Sequence, residues 1–281
     1  MYVTRSYLRK HLKKRLATSH KGQNGRVLVV GGSKLYFGSP ILVSLSAFRT
    51  GVDLVYLLAP EYTAKYIGPR YPDLIVWGYA GEYLSRKALP LFEQLSSKTD
   101  AMVIGNGITQ QPGVLKTASE LIGKWDKPLV IDADAIQPKL KTDSKQLIYT
   151  PHFAEFSRLT GMKTPENLEQ RINSVQKTAR ELSATILLKG RPDIISNGDK
   201  LMLNNIHNPG MTVGGTGDTL AGIACALLSQ KHTAFESACM AAYTNGSAGN
   251  LATKEYGYSM LASDLISKIP SIMKQFRQVV L

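Results

Sequence analysis

Cysteine is nearly absent from this sequence. Its 281 residues hold only Cys225 and Cys239, both in alanine-rich apolar stretches without metal-ligand spacing, so they are expected to pack in the core rather than form a disulfide or a metal site. Long hydrophobic runs are missing as well. No stretch reaches the roughly 18 to 20 apolar residues that span a bilayer, which argues against a membrane-embedded enzyme or a membrane partner. The opening stretch MYVTRSYLRKHLKKRLATSHKG is basic but lacks the apolar segment and cleavage site of a secretory signal, and with free cysteines this gives the expectation of a cytoplasmic protein. No internal repeat, low-complexity linker or composition break divides the chain. A single domain over 1–281 is expected, with 1–20 as a basic amino-terminal segment.

Acidic residues are outnumbered, 21 against 34 lysines and arginines, for a net charge of +13. Such a balance suits nucleic acid, an anionic surface or a polyanionic small substrate. The densest cluster, Arg9, Lys10, Lys13, Lys14 and Arg15, reads as the solvated flank of an amphipathic helix. With no zinc-finger spacing and no aromatic-studded ribonucleoprotein motif beside it, nucleic acid is not an expected partner.

What the sequence does contain is a regular alternation of short β-rich runs with helix-length segments, the pattern of a mostly parallel sheet flanked by helices on both faces. The candidate strands are RVLVVG (26–31), VDLVYLLA (52–59), DLIVWG (73–78), AMVIG (101–105), PLVIDA (128–133), LIYT (147–150) and TILLKG (185–190). PILVSLSAFRTG, SRKALPLFEQLSSK, PGVLKTASELIGKW and PENLEQRINSVQKTARELS read as helices between them, the second kinked or shortened by its internal proline. After residue 190, DIISNGDKLML reads as a hairpin turning at Asn197-Gly198. Three further helices are predicted over roughly 216–230, 233–253 and 260–277.

In such sheets the ligand lies outside the carboxyl ends of the strands. That rule selects Gly31-Gly32-Ser33, Gly105-Asn106-Gly107, Asp132 with Asp134, Thr150-Pro151-His152, and Lys189-Gly190. The stretch NPGMTVGGTGDTLAGI adds a glycine-rich turn before a helix. Gly214, Gly215, Thr216 and Gly217 would let backbone N–H groups and a helix amino terminus hold an anion. Asp218 is out of place in a phosphate cradle unless it takes a proton from a substrate hydroxyl. The Walker lysine pattern and the dinucleotide GxGxxG are both absent. Asp132 and Asp134 fit a strand-end cap equally well, and Met202 and Met211 read as packing.

A glycine-rich loop ending in an aspartate at a helix start, late in an α/β chain, resembles the ribokinase-like superfamily. Within it the chain is similar to the ADP/ATP-dependent NAD(P)H-hydrate dehydratases, through HKGQNGRVLVVGGSKLYFGSPILVSLSAFRTG, VIGNGI, VIDADAI, TPHFAEFSRLTG, ILLKGRPDII, GGTGDTLAGI and YTNGSAGNLA. The resemblance implies a ribokinase-like fold without a separate lid domain. It also implies a lyase that returns the S epimer of hydrated NADH or NADPH to NAD(P)H, using ADP or ATP as phosphoryl donor with magnesium. Asp218 would be the catalytic base. Lys189, Gly190, Arg191, Pro192, Asp193 and Gly217 would bind nucleotide, and Pro40, Gly107, His152 and Asp218 the hydrated dinucleotide. Glu155 would reach magnesium through water. A homo-oligomer, with a tetramer as the family's form, and a separate epimerase complete the expectation. Departures from the family pattern fall at Pro40, Thr109, Ala154 and Asn250. The competing readings are a superfamily kinase for a hydroxymethylpyrimidine or hydroxyethylthiazole, and a non-catalytic nucleotide-sensing or nucleic-acid-binding protein.

Overall fold

Apolar runs rich in valine, isoleucine and leucine, with no polar face, suit strands covered on both sides. The computed structural model, which describes residues 1–277 and the backbone of 279–280, gathers them into one nine-stranded sheet. Its strands are β2 (Arg26–Val30), β3 (Leu54–Pro60), β4 (Ile75–Tyr79), β5 (Ala101–Ile104), β6 (Leu129–Ile131), β7 (Leu147–Tyr149), β8 (Thr185–Leu188), β9 (Asp193–Ser196) and β10 (Leu201–Asn204). A separate two-residue strand β1 (Arg15–Leu16) pairs with β11 (Val279–Val280). The spatial order is β10-β9-β8-β7-β6-β5-β2-β3-β4. From β4 across to β8 every pairing is parallel, and β9 and β10 complete the sheet as an antiparallel hairpin.

The helices are α1 (Arg5–His11), α2 (Ser39–Arg49), α3 (Glu61–Ile67), α4 (Leu89–Ser96), α5 (Pro112–Gly123), α6 (Phe153–Thr160), α7 (Leu168–Glu181), α8 (Thr216–Ser229), α9 (Ala234–Tyr256) and α10 (Ala262–Lys274). Strand side chains alternate between faces, so Val27, Val29, Leu57, Val103 and Val130 share a core with α2, α8, α9 and α10. Leu28, Val30, Leu58, Met102 and Ile104 share the other with α4, α5, α6 and α7. Cys225 and Cys239 are free and buried in the first of these cores. Among the described residues no helix is long and apolar enough to cross a membrane.

Local chemistry accounts for the departures from expectation. Pro90 is the second residue of α4 and opens the helix instead of kinking it, because a first-turn residue needs no intrahelical N–H bond. The helix therefore runs over Leu89–Ser96 only. Helix α1 stops at His11, so Lys13, Lys14 and Arg15 lie beyond it and do not extend its flank. Helix α6 lacks the usual start signal in the sequence, because its capping box uses His152, whose ring accepts from Ala154 N and Glu155 N, where a hydroxyl or carboxylate is usual.

The topology fixes where a ligand can enter. β3 and β4 lie on one side of β2, and β5 onward on the other, so the connections leaving β2 and β5 diverge and open a crevice at their carboxyl ends. Helix α8 is brought up to that crevice by close packing on α2. Gly222 sits so tightly that an added Cβ would run into Ser46 Oγ and Val43 O. Gly222→Val should lower stability by more than ~2 kcal/mol, at the upper end for overpacked positions. Gly113→Ala, with nothing within 4 Å of the new methyl, should stay within about 0.5 kcal/mol. Thermal or urea unfolding of the two variants checks the contrast.

Candidate active site

The glycine-rich turn meets the crevice as an uncapped helix end. Gly215, the residue before α8, has φ +96° and no side chain caps the helix. A left-handed residue here favours glycine, and the free N–H groups of Thr216, Gly217 and Asp218 form an anion cradle at the positive end of the helix dipole. The space over Gly214 is open. Thr216 is turned away, its Oγ1 donating to Met211 O at 2.8 Å. Gly217 is where the cradle meets Lys189: a Cβ there would lie 3.3 Å from the lysine Nζ.

Asp218 faces the strand ends. Its Oδ1 accepts from Asn106 Nδ2 at 2.6 Å, and the same amide donates to Asp132 Oδ2 at 2.8 Å. Asp132, only 2% exposed, also accepts from Thr150 Oγ1 at 2.8 Å and Lys189 Nζ at 3.1 Å. Lys189 in turn stands 3.6 Å from Glu155 Oε2. Side chains from the ends of β5, β6, β7 and β8 and from α6 and α8 thus form one connected polar chain.

Burial, and then the negative charge of Asp132, push the Asp218 carboxyl up to about 6, against the hydrogen bonds from Asn106 and Ser39 and the charge of Lys189. A carboxylate so placed is a stronger base than a solvated one and is still mostly ionised at neutral pH. For Lys189 burial opposes the charge, but Asp132 and Glu155 outweigh it and hold the group above its ordinary value. It remains an ammonium.

Beside the cradle lies a cleft of roughly 300 Å³, lined among others by Lys189, Gly190, Arg191, His207, Met211 and Gly217. Its outer wall is the loop between β8 and β9, where a cis peptide joins Arg191 to Pro192. Asp193 braces this loop from beneath, accepting from Gly190 N and Asn204 Nδ2 at 2.9 Å each, and burial raises it to about 6. Arg191 Nε donates to His207 Nε2 at 3.4 Å across the rim.

The remaining sequence-selected residues fall around this centre in different ways. Gly107, φ +75°, abuts the loop before α2, with an added Cβ 2.6 Å from Tyr36 O. Pro40 is buried behind Gly31 and Gly32. His152 caps α6 through Nδ1 and leaves Nε2 3.3 Å from Glu155 Oε1, with its side chain 55% exposed. Glu155 closes the same capping box by accepting from His152 N at 2.8 Å. Asp132 and Asp134 part company: Asp134 turns outward and accepts from Thr109 N and Gln110 Nε2. That bond holds Thr109 at φ +82°, a conformation more usual for glycine. Ala154 donates its N–H to the capping ring, and Asn250 accepts from Asn208 Nδ2 at 2.7 Å beneath the cleft. Met202 is core, whereas Met211 lines the cleft as well as packing on Gly249.

Sequence reasoning assigned no role to Asn106, although it stands between two strand-end glycines at the topological crevice. It also passed over His207 and Asn245. Asn245 ties α9 to the first turn of α8, accepting from Thr219 Oγ1 at 2.7 Å and donating to Thr216 O at 3.1 Å.

A family model described as NAD(P)H-hydrate dehydratase matches residues 27–271. The chain belongs to the NAD(P)H-hydrate dehydratase family. It is 40% identical over 273 residues to the ADP-dependent (S)-NAD(P)H-hydrate dehydratase of Cenarchaeum symbiosum, covering 96% of this chain and 95% of that one. The crystal structure of the ADP/ATP-dependent NAD(P)H-hydrate dehydratase from Bacillus subtilis, co-crystallised with ATP and magnesium, superposes with a TM-score of 0.84 at 28% identity over 98% of both chains. A ribokinase-like superfamily protein from Enterococcus faecalis, 24% identical, shares the fold with a TM-score of 0.85 over 99% of this chain and 96% of its own. The chain spans about half the length of the bifunctional NAD(P)H-hydrate repair enzymes that it also matches.

Within this family member the raised Asp218 has a consequence for stability. A carboxyl whose folded pKa lies above its unfolded value contributes stability when protonated, a contribution complete below about pH 4 and lost as pH rises through about 6. Asp218→Asn keeps an acceptor for Asn106 and cannot ionise. It should therefore be more stable than the parent protein at pH 8, by about 1–3 kcal/mol, and the difference should vanish near pH 4, as unfolding curves at the two pH values will show.

Proposed function

We propose that the chain dehydrates the S epimer of hydrated NADH and NADPH to NAD(P)H, with ADP as phosphoryl donor and ATP as the alternative. The observation that carries this reading is Asp218 itself. A partly buried carboxylate at the N-terminal turn of an uncapped helix would repel a bound phosphate, and its raised pKa equips it to remove a proton from a hydroxyl held beside that phosphate.

Asp218 takes the proton of the ring hydroxyl, and the oxygen forms a bond to the terminal phosphorus as the bond to the departing AMP, or ADP when ATP is used, breaks. The N–H groups of residues 216–218 and the ammonium of Lys189 offset the charge on the transferred group. Phosphate is a better leaving group than hydroxide. Its C–O bond then breaks, a proton is lost from the neighbouring carbon, and the ring double bond is restored. The cleft between Arg191 and Met211 would hold the nucleotide, with Asp193 fixing the Lys189–Asp193 loop. The hydrated ring would lie between Asp218 and the surface around Gly107 and His152.

Among the described residues no group of three acidic, histidine or cysteine side chains could hold a metal, and Asp132 and Glu155 already accept hydrogen bonds. Magnesium accordingly fits as an ion carried by nucleotide phosphates, a mode it favours, with Glu155 acting through water. When bound it would neutralise phosphate charge. The names of the stand-alone relatives support ADP. Separate epimerisation of the hydrate, a cytoplasmic location and a homotetramer belong to the same reading.

Purified protein mixed with hydrated NADH, magnesium and either ADP or ATP should restore absorbance in the reduced-nicotinamide band. Asp218→Asn should retain nucleotide binding and lose activity by about 10²- to 10⁴-fold. In the parent protein kcat/KM should fall on the acid side of about pH 6, where Asp218 becomes protonated. No recovery with either nucleotide, together with ATP consumption on a hydroxymethylpyrimidine or hydroxyethylthiazole, would move the assignment to a vitamin-type kinase; binding without any turnover would make the protein a sensor.

A further inference from the structure

The sheet's opposite end carries a wider basin than the one described so far. It has a volume of roughly 460 Å³ and is walled by Lys13, Lys14, Arg15, Arg26, Lys231 and Arg277, with Asp100 as its single lining acid among the described residues. Arg26 opens β2 and Asp100 precedes β5, so this basin lies at the amino ends of the strands whose carboxyl ends form the crevice. The length of β2, about 17 Å at the usual rise per residue, separates the two.

Its positive charge is only partly compensated. Arg26 pairs with Asp100 at 2.7 Å and Arg15 with Asp53 at 2.8 Å. Among the described residues Lys13, Lys14, Lys231 and Arg277 have no carboxylate partner. The Lys13 ammonium bonds to Lys231 O, and the Arg277 guanidinium donates to Gln230 Oε1 at 2.8 Å and Gly51 O at 3.4 Å, all neutral acceptors. Burial and the nearby Arg15 depress the Arg277 pKa, the signature of a cation short of negative charge.

Polar groups in and beside the basin are unused too. Among the described residues Gln230 Nε2 is buried without a partner, as are both ring nitrogens of His232, which is 4% exposed. His232 belongs to an adjoining hollow that shares Asp100, Ser229 and Lys231 with the basin. Buried polar groups normally find partners. Uncompensated cations converging on a concavity, above buried polar groups that lack partners, form a site that a multiply charged oxyanion would complete.

We infer that this basin is a second anion site, independent of the proposed dehydration and taking a small, multiply phosphorylated ligand. A nucleic-acid strand fits less well. The basin is a local concavity rather than a stripe, and among the described residues no aromatic side chain lines it for base stacking.

Inorganic tripolyphosphate is the probe, titrated calorimetrically into the full-length protein with the upper cleft saturated by ADP. The parent protein should still bind it, about tenfold more weakly for each doubling or trebling of salt concentration if several phosphate charges are engaged. Lys14→Ala/Lys231→Ala should weaken this binding at least about tenfold while leaving turnover within twofold. Lys14→Glu alone serves as a second variant, and unchanged thermal midpoints would show that both fold. A parallel titration with ATP distinguishes sources: equal affinity assigns recognition to a phosphate chain, and clearly tighter ATP binding assigns it to a nucleotide, either of which supports the site. Tripolyphosphate binding that the variants leave unchanged, or that ADP abolishes in the variants as completely as in the parent protein, would overturn it. So would loss of a twenty-nucleotide oligomer from the variants without any loss of tripolyphosphate, which would make the basin a nucleic-acid surface.

Discussion

One amide holds two carboxylates apart at the centre of this protein. Asn106 gives one hydrogen to Asp132 and the other to Asp218, and without that shared donor the two negative charges would confront each other in a buried space. Lys189 answers Asp132 from the far side. The arrangement leaves Asp132 ion-paired with Lys189 and Asp218 hydrogen-bonded without a direct ion pair, so two like groups acquire different chemistry from their surroundings alone. Every other element of the site is placed relative to this pair.

That placement depends on the sheet. Asn106, Asp132, Thr150 and Lys189 come from four neighbouring parallel strands, whose even spacing sets them in a row. Asp218 comes from much later in the chain, on a helix that reaches the row because Gly222 lets it settle on α2. A second tether, Asn245, fixes the first turn of that helix from α9. The site is thus a meeting of the carboxyl ends of interior strands with one helix end, held from both sides.

Much of this was legible in the residues. Continuous apolar runs, the glycine-rich turn and the polar residues closing each strand placed the sheet, its crevice and the cradle, because those features are local consequences of burial on both faces, backbone freedom and strand direction. Helix α6 was not legible, since a histidine cap mimics a loop residue. Nor were Pro90 as a helix opener and the end of α1 at His11, where short helices leave little periodicity to read. Asn106 could be selected by position but not by role, for a bridging amide is defined by two partners distant in sequence. Met211 shows the same limit: an apolar residue in the core and one lining a cleft look alike until the cleft exists.

The missing cap on α8 reaches beyond catalysis. A helix whose opening turn is left without a side-chain acceptor is an incomplete piece of secondary structure, and a phosphate arriving there finishes it. On the proposed function, the adenine nucleotide is therefore a component of the native state as well as a reagent. Occupancy adds free energy to the fold by mass action, rising with the logarithm of nucleotide concentration above the dissociation constant. The protein's lifetime in a cell would then track the size of the adenylate pool, coupling the abundance of the enzyme to the energy supply that drives it.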